Sequence, residues 1–174
     1  MSDDALLRPS AFGTIVCGGL AVGVLDFLDA TIFFPLWYGI RPISVWWSVA
    51  SGLIGRDRAI NGGLKTALLG LLLHFLIATI MAAVFYGASL LLPTLIRHPV
   101  VWGMIYGVVC YFVMTFVVVP WSRVPPSPRP VIFTIGMLVV KAIPRPIFLN
   151  GIIGHALLVG LPIALCARRS AKAR

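Results

Sequence analysis

Residues 66–96 read TALLGLLLHFLIATIMAAVFYGASLLLPTLI, and this stretch decides the fold class. It contains no Lys, Arg, Asp or Glu along its whole length. An α-helix needs only about 20 apolar residues to cross the hydrocarbon core of a bilayer. The stretch therefore predicts a helix that spans the membrane.

Three further stretches that lack Lys and Arg are also long enough to span, namely 9–40, 98–122 and 146–167. The whole chain is 60% hydrophobic and only 11% charged, and its mean hydropathy is +1.03. A water-soluble domain cannot cover that much apolar surface with polar groups. We predict an all-α integral membrane protein, a bundle of four transmembrane helices that forms one domain over residues 1–174.

The predicted elements are a first transmembrane helix at about 11–37, an interfacial helix at 42–55, a second transmembrane helix at about 64–92, a third at about 100–120, a proline-rich loop at 121–130, a short apolar segment at 131–143, a fourth transmembrane helix at about 148–167 and a basic tail at 168–174. The segments 42–55 and 131–143 are too short to span, and the second is either interfacial or re-entrant. Tryptophan is enriched at membrane interfaces. The predicted interface anchors are Trp37, Trp46, Trp47 and Trp121.

The two halves of the chain resemble each other. Aligning Gly19 with Gly103, an offset of 84 residues (103 − 19), also aligns Trp37 with Trp121. An offset of 81 (155 − 74) aligns His74 with His155 in the second helix of each half. We therefore predict two pseudo-repeated hairpins, each with its own short segment.

Each half begins with a GxxxG motif, formed by Gly19 and Gly23 in one half and by Gly103 and Gly107 in the other. Small residues at this spacing let a neighbouring backbone approach closely. We interpret all four glycines as helix-packing residues.

A layer of polar residues is predicted inside the membrane. Ionisable groups in spanning helices are costly and commonly functional. A rise of 1.5 Å per residue places Asp26 and His74 at roughly 15–16 Å from the same interface, and the repeat adds their counterparts in the other half. The candidate residues of the layer are Asp26, Asp29, His74, His155 and Cys110.

Three interpretations of this layer stay open. A carboxylate and two imidazoles could relay protons near neutral pH. The same groups could instead bind zinc or a softer transition metal, with Asp26, His74, His155 and Cys110 as ligands. The sequence does not identify a metal or a cofactor. The third interpretation is a His–Asp hydrogen bond that only joins two helices.

The net charge of +9 does not indicate a nucleic-acid-binding protein. Basic residues that flank apolar runs are ordinary membrane anchors, which contact anionic lipid headgroups. We therefore expect the lipid bilayer as the main partner and no nucleic acid, with a homo-oligomer or a larger membrane complex as further partners. Six Lys and Arg residues lie on the side of the termini and eight on the opposite side, so their count does not specify the orientation. The compact basic tail favours both termini in the cytoplasm, and insertion of copies in both orientations is the alternative.

Two stretches carry a family resemblance. HFLIATIMAAVFYGASLLLPTLIRHPVVWGMIYGV leads into VVPWSRVPP within residues 74–126, and GHALLVGLPIALCARR occupies 154–169. In these stretches the chain resembles the YagU-like family of small, uncharacterised bacterial inner-membrane proteins. The resemblance implies a location in the bacterial inner membrane and a multi-pass architecture, and it implies no activity.

Three functions are compatible with these features. The first is a non-enzymatic inner-membrane protein that is linked to protons or a small solute through the buried Asp/His layer. The second is a structural or accessory subunit of a larger membrane complex, and the third is a metal-dependent membrane enzyme. No P-loop, HExxH or GxSxG motif occurs, which favours a non-enzymatic protein.

Overall fold

The computed structural model describes residues 8–124 and 144–172, and within these ranges the chain is helical and has no β-strand. In chain order the elements are α1 (Gly13–Cys17, a widened π-helical turn, continued by Gly18–Tyr38), α2 (Pro42–Ile54), α3 (Arg56–Asn61), α4 (Gly63–Leu91), α5 (Thr94–Arg97), α6 (Pro99–Val113, a π-helical turn at Met114–Val118, then Val119–Trp121) and α7 (Arg145–Gly154, a π-helical turn at His155–Gly160, then Leu161–Lys172). The predicted short segment at 131–143 and most of the proline-rich loop lie outside the described residues.

Four helices are long and apolar enough to cross a membrane: Gly13–Tyr38, Gly63–Leu91, Pro99–Trp121 and Arg145–Ala171. The predicted all-α bundle with four transmembrane helices is thereby confirmed. Successive spans run in opposite directions. We call the end at Tyr38, Gly63, Trp121 and Arg145 the α2 end, and the end at Gly13, Leu91, Pro99 and Ala171 the α5 end.

The outer faces of the spans are apolar. On α4 a stripe at every fourth position, Leu68, Leu72, Leu76 and Ile80, is between 52% and 67% exposed. Residues four apart share one face of a helix, and a continuous exposed leucine face is unfavourable in water. The surface of α4 therefore matches a hydrocarbon environment.

Glycines permit close contact between the spans. A Cβ atom on Gly160 of α7 would overlap the Gly103 carbonyl and the Gly107 backbone of α6, so these two helices touch backbone to backbone. On the other side of the bundle, Gly19 and Gly23 of α1 face α4. All four glycines of the GxxxG motifs thus lie at helix contacts.

Helix α2 packs against α4 rather than standing apart from the bundle. A Cβ atom on Gly70 would overlap the Trp46 carbonyl, and Trp47 Nε1 donates to the Gly63 carbonyl at 2.8 Å. Trp46 is only 7% exposed, so its burial contradicts its predicted role as an interface anchor. The helical spacing of its apolar face is correct, but this face contacts protein and not lipid.

Two of the other predicted anchors are exposed, whereas Trp47 is half-buried. Trp37 is 62% exposed and Trp121 is 83% exposed, both at the α2 end. Their contact with the membrane interface stays a prediction. The links on either side of α4 contain the short helices α3 and α5.

Candidate functional site

A cavity of about 250 Å³ lies between the four spanning helices. Its ionisable side chains are Asp26 from α1, His74 from α4 and His155 from α7. The remaining walls are Val22, Val49, Ile77, Ala78, Met81, Tyr111, Met114, Thr115, Val119 and Val159. Every span contributes, and Val49 shows that α2 also reaches the cavity.

The cavity lies near the middle of the four spans. Asp26 is twelve residues from Tyr38, His74 eleven from Gly63 and His155 ten from Arg145, so a rise of 1.5 Å per residue puts all three roughly 15–18 Å from the α2 end. The hydrocarbon core is about 30 Å thick. By this count the three groups lie at a similar distance from the α2 end.

His74 connects α4 to α1 through both of its ring nitrogens. Nε2 lies 3.0 Å from the Gly23 carbonyl oxygen, and Nδ1 lies 3.7 Å from Asp26 Oδ2. A carbonyl oxygen can only accept, so Nε2 carries the hydrogen. In a neutral imidazole Nδ1 is then an acceptor that faces the carboxyl group.

Aromatic rings fix the orientation of the His74 imidazole. Trp46 stacks on Phe27 with ring centroids 4.8 Å apart and meets the His74 ring edge to face at 5.3 Å. Phe75 contacts the same imidazole at 5.6 Å. The His74 side chain is 12% exposed, so these contacts leave only a small part of it open to the cavity.

His155 lies on the opposite wall of the cavity. Its ring packs edge to face on Tyr111, with centroids 5.4 Å apart. The side chain is close enough to Asp26 and Asp29 to interact electrostatically with both carboxyl groups. The two histidines of the predicted layer therefore face one cavity, and both interact with Asp26.

Two widened helical turns border this cavity. Met114 and Thr115 belong to the π-helical turn of α6, and His155 and Val159 belong to that of α7. Such turns insert an extra residue, which redirects side chains, and they occur frequently at functional sites. Both turns direct polar groups, the Thr115 hydroxyl and the His155 imidazole, into the same space.

Asp29 occupies a separate position. Asn150 Nδ2 donates to Asp29 Oδ2 at 2.9 Å, which joins α1 to α7 one turn nearer the α2 end. Asp29 does not line the cavity. The structure therefore assigns the two carboxyl groups to different partners, Asp26 to α4 and Asp29 to α7.

Cys110, predicted to occupy the place equivalent to Asp26, is buried beside Tyr106 and does not line the cavity. Tyr106 itself donates to the Met81 carbonyl at 2.7 Å. Among the described residues no group of three or more His, Cys, Asp or Glu side chains is placed to hold a metal ion. The geometry thus separates Cys110 from the predicted set of donors.

The sequence did not single out Tyr111, Thr115 or Asn150 as site residues. Thr115 had a signal, because the repeat aligns it with Thr31. Tyr111 and Asn150 had none, since a lone tyrosine or asparagine in an apolar helix does not reveal which neighbour it faces.

Comparisons of the chain with protein-family models, with curated proteins and with solved structures find no match. The resemblance to the YagU-like family therefore remains an expectation.

Proposed function

We propose that the protein is a multi-pass membrane protein whose central cavity takes up and releases protons through Asp26, His74 and His155, in exchange with a small solute. One observation carries this proposal: ionisable side chains from three spanning helices line a single cavity near mid-membrane. Such groups are costly in a membrane and typically mark proton or ion pathways.

The Asp26–His74 pair is suited to hold one proton. Because Nε2 of His74 donates to the Gly23 carbonyl, a fully deprotonated pair would place the Nδ1 lone pair opposite the Asp26 carboxylate. One proton, on either Nδ1 or the carboxyl group, replaces this repulsion with attraction. Binding and release of that proton is the elementary step of the proposed proton uptake.

His155 offers a second place for the proton. It interacts electrostatically with Asp26 and faces the same cavity. An imidazole can both accept and release a proton, so a histidine on each wall can exchange protons with the carboxylate.

The solute that fits this site is a small cation. Among the described residues that line the cavity there is no Lys or Arg, whereas Asp26 supplies negative charge. The walls are mostly aliphatic and methionine side chains, with the Tyr111 ring on one side. A cation with an apolar body satisfies both features, and its charge would compete with the proton for Asp26.

Helix contacts support the proposed two-hairpin organisation. In the first half, Gly19 of α1 faces Thr79 of α4. Shifting these positions by the offsets of the sequence repeat gives Gly103 of α6 and Gly160 of α7, and these two glycines are in contact.

The second glycine of each motif behaves in the same way. Gly23 of α1 faces Phe75 of α4, and the shifted pair, Gly107 of α6 and Ala156 of α7, is also in contact. Two glycine contacts therefore recur at the offsets predicted from sequence. We infer that the bundle consists of two parallel repeats with the cavity between them.

A purely structural or accessory subunit would be expected to have a dry bundle, with no cavity at the polar groups. The observed cavity favours the proton-linked function over that alternative. A partner protein or a second copy remains compatible with the exposed apolar faces.

The proposed location is the bacterial inner membrane, with both termini in the cytoplasm. Arg168 and Arg169 lie at the α5 end of α7, on the same side as Arg97 and Arg8. The α2 end carries more of the described cations, namely Arg41, Arg56, Arg58, Lys65, Arg123 and Arg145. The proposed orientation therefore rests on the compact basic cluster directly at the end of α7. A C-terminal alkaline phosphatase fusion that is active would contradict this orientation, and a fluorescent C-terminal green-fluorescent-protein fusion would agree with it.

The proton function is testable in liposomes that contain the purified full chain and a trapped pH indicator. In one arm, a potassium–valinomycin potential drives protons into the lumen. In the other arm, an outward gradient of tetramethylammonium drives its exchange for protons. We expect wild-type protein to acidify the lumen in at least one arm and Asp26→Asn to abolish this flux. Asp57→Asn, which alters an exposed carboxylate in α3, is the matched control and should retain it.

The histidines are tested in the same assay. His74→Asn and His155→Asn should each reduce the flux at least tenfold, whereas His98→Asn, at an exposed position between α5 and α6, should not. Wild-type liposomes that match empty liposomes in both arms would overturn the proposal.

A further inference from the structure

Two cysteines meet at the α5 end of the bundle, away from the cavity. Cys17 Sγ of α1 and Cys166 Sγ of α7 lie 3.1 Å apart, although 149 positions separate them in the chain. Cys17 is exposed and Cys166 is half-buried, while Cys110 lies elsewhere and is buried.

The register between the two helices places these sulfurs face to face. One turn nearer the α5 end, a Cβ on Gly13 would lie 2.8 Å from Ser170 Cβ. Towards the α2 end from the two cysteines, a Cβ on Gly18 would lie 3.5 Å from Ile163 Cα. Cys17 and Cys166 fall between these contacts, on two antiparallel helices.

The helix spacing suits a covalent link. Disulfides require Cα atoms about 4.4–6.8 Å apart, which is closer than most helix pairs come. Gly13 and Gly18 lack side chains and Ser170 is small, so α1 and α7 approach closely on both sides of the cysteines. A hydrogen bond from Ser10 N to Ser170 Oγ at 3.1 Å further fixes this crossing.

The two thiols also lie close to the α5 end of their helices. Cys17 is only four residues from Gly13, or roughly 6 Å from the start of the span. Arg169, one turn beyond Cys166, is exposed and its charge acts on that thiol. A positive charge at this position attracts anionic thiol reagents such as glutathione.

We propose that Cys17 and Cys166 form a reversible dithiol–disulfide couple that joins α1 to α7 at the α5 end. Two S–H bonds break and one S–S bond forms. The two electrons and two protons pass to a small-molecule disulfide, which leaves as two thiols. The couple does not depend on the proposed proton chemistry.

In a reducing cytoplasm the pair stays as two thiols, and it closes when the compartment becomes more oxidising. Closure ties together the two helices that carry Asp26 and His155. Cross-links between residues distant in sequence stabilise the folded state because they restrict the unfolded chain. The oxidised protein should therefore unfold at a higher temperature than the reduced protein.

The test uses the purified full chain in detergent, equilibrated with mixtures of glutathione and glutathione disulfide. After an acid quench, the protein is denatured, alkylated with N-ethylmaleimide and weighed by intact mass spectrometry. The chain has 3 cysteines, so we expect all of them to be labelled after reduction and only Cys110 after oxidation. Peptide mapping should then recover a peptide that links residues 17 and 166.

Matched variants complete the test. Cys17→Ser and Cys166→Ser should each abolish the link, and Cys110→Ser should retain it. The proposal is overturned if every thiol is still labelled after oxidation, if glutathione stays attached as a mixed disulfide, or if the link forms only between two chains on a non-reducing gel. Peptide mapping of the oxidised wild-type protein decides the proposal by itself, so the test remains valid even if a variant fails to fold.

Discussion

Asp26 Oδ2 lies 3.7 Å from Nδ1 of His74, and the other ring nitrogen of that histidine is held by the Gly23 carbonyl of the same helix that carries Asp26. One imidazole thus bridges a carboxyl group and a backbone acceptor three residues apart. The arrangement makes the protonation of the pair and the contact between α1 and α4 interdependent.

The first prediction separates structure from proton chemistry at this pair. Asp26→Asn keeps a donor that can reach Nδ1 of neutral His74, so the contact survives without an exchangeable acid. We expect its unfolding free energy in detergent to stay within about 1 kcal/mol of wild type. Asp26→Leu removes the donor and leaves Nδ1 unpaired, and should cost about 1–3 kcal/mol.

Thermal unfolding followed by circular dichroism measures both Asp26 variants. In the Asp26→Asn protein, the nitrogen-15 NMR signals of the labelled His74 ring should no longer show the effect of an ionisable carboxyl group at position 26. An Asp26→Asn protein that is as unstable as Asp26→Leu would mean that an ionised carboxylate, and not a hydrogen bond, holds the helices.

The second prediction concerns the contact between α6 and α7. Gly160→Ala introduces a Cβ that overlaps the Gly103 carbonyl and the Gly107 backbone, which cannot move as a flexible side chain could. Overpacking of this kind costs about 1–3 kcal/mol. Gly87→Ala is the matched control, because its Cβ would meet open space on a helical backbone.

Gly87→Ala should be neutral or stabilise the protein by about 0.5–1 kcal/mol. Differential scanning fluorimetry of the two glycine variants in one detergent checks the difference. Equal melting temperatures for Gly160→Ala and Gly87→Ala would show that α6 and α7 are further apart than described.

The third prediction tests the polar contact between α1 and α7. Asn150→Ala leaves the Asp29 carboxyl group without its 2.9 Å donor. Loss of a partner from a partly buried polar group costs about 1–3 kcal/mol. Asn61→Ala, at an exposed asparagine at the end of α3, should change stability by less than about 0.5 kcal/mol.

A double-mutant cycle with Asp29→Ala isolates the Asp29–Asn150 interaction. We expect a coupling energy above about 0.5 kcal/mol, since the two side chains are in direct contact. Strictly additive effects on the unfolding midpoint would argue that the amide and the carboxyl group do not interact.

The fourth prediction concerns Trp46. Because Trp46 is buried against Phe27 and His74, Trp46→Ala should cost about 3–5 kcal/mol. Trp121→Ala removes a side chain that is 83% exposed and should cost far less. The same pair of variants distinguishes a core tryptophan from an interface anchor, since brominated lipids should quench Trp121 fluorescence more than Trp46 fluorescence.

The polar layer was partly accessible to sequence reasoning. Counting residues from the interfaces placed Asp26 and His74 at one depth, because helical rise is nearly constant. The predicted repeat added His155 by alignment with His74. Depth does not specify direction around a helix, however, so the same procedure grouped Cys110 and Asp29 with residues that face the cavity.

The sequence by itself determined that the chain is an all-α membrane protein with four spans, since apolar run length and the missing charges are local properties of the chain. It also identified the glycines at which helices could touch. Only the tertiary structure decided which side chains share a cavity, that Trp46 is a core residue, and that Cys17 meets Cys166. These relationships depend on the rotation and register of helices far apart in sequence, and an apolar helix has few polar residues from which its rotation could be read.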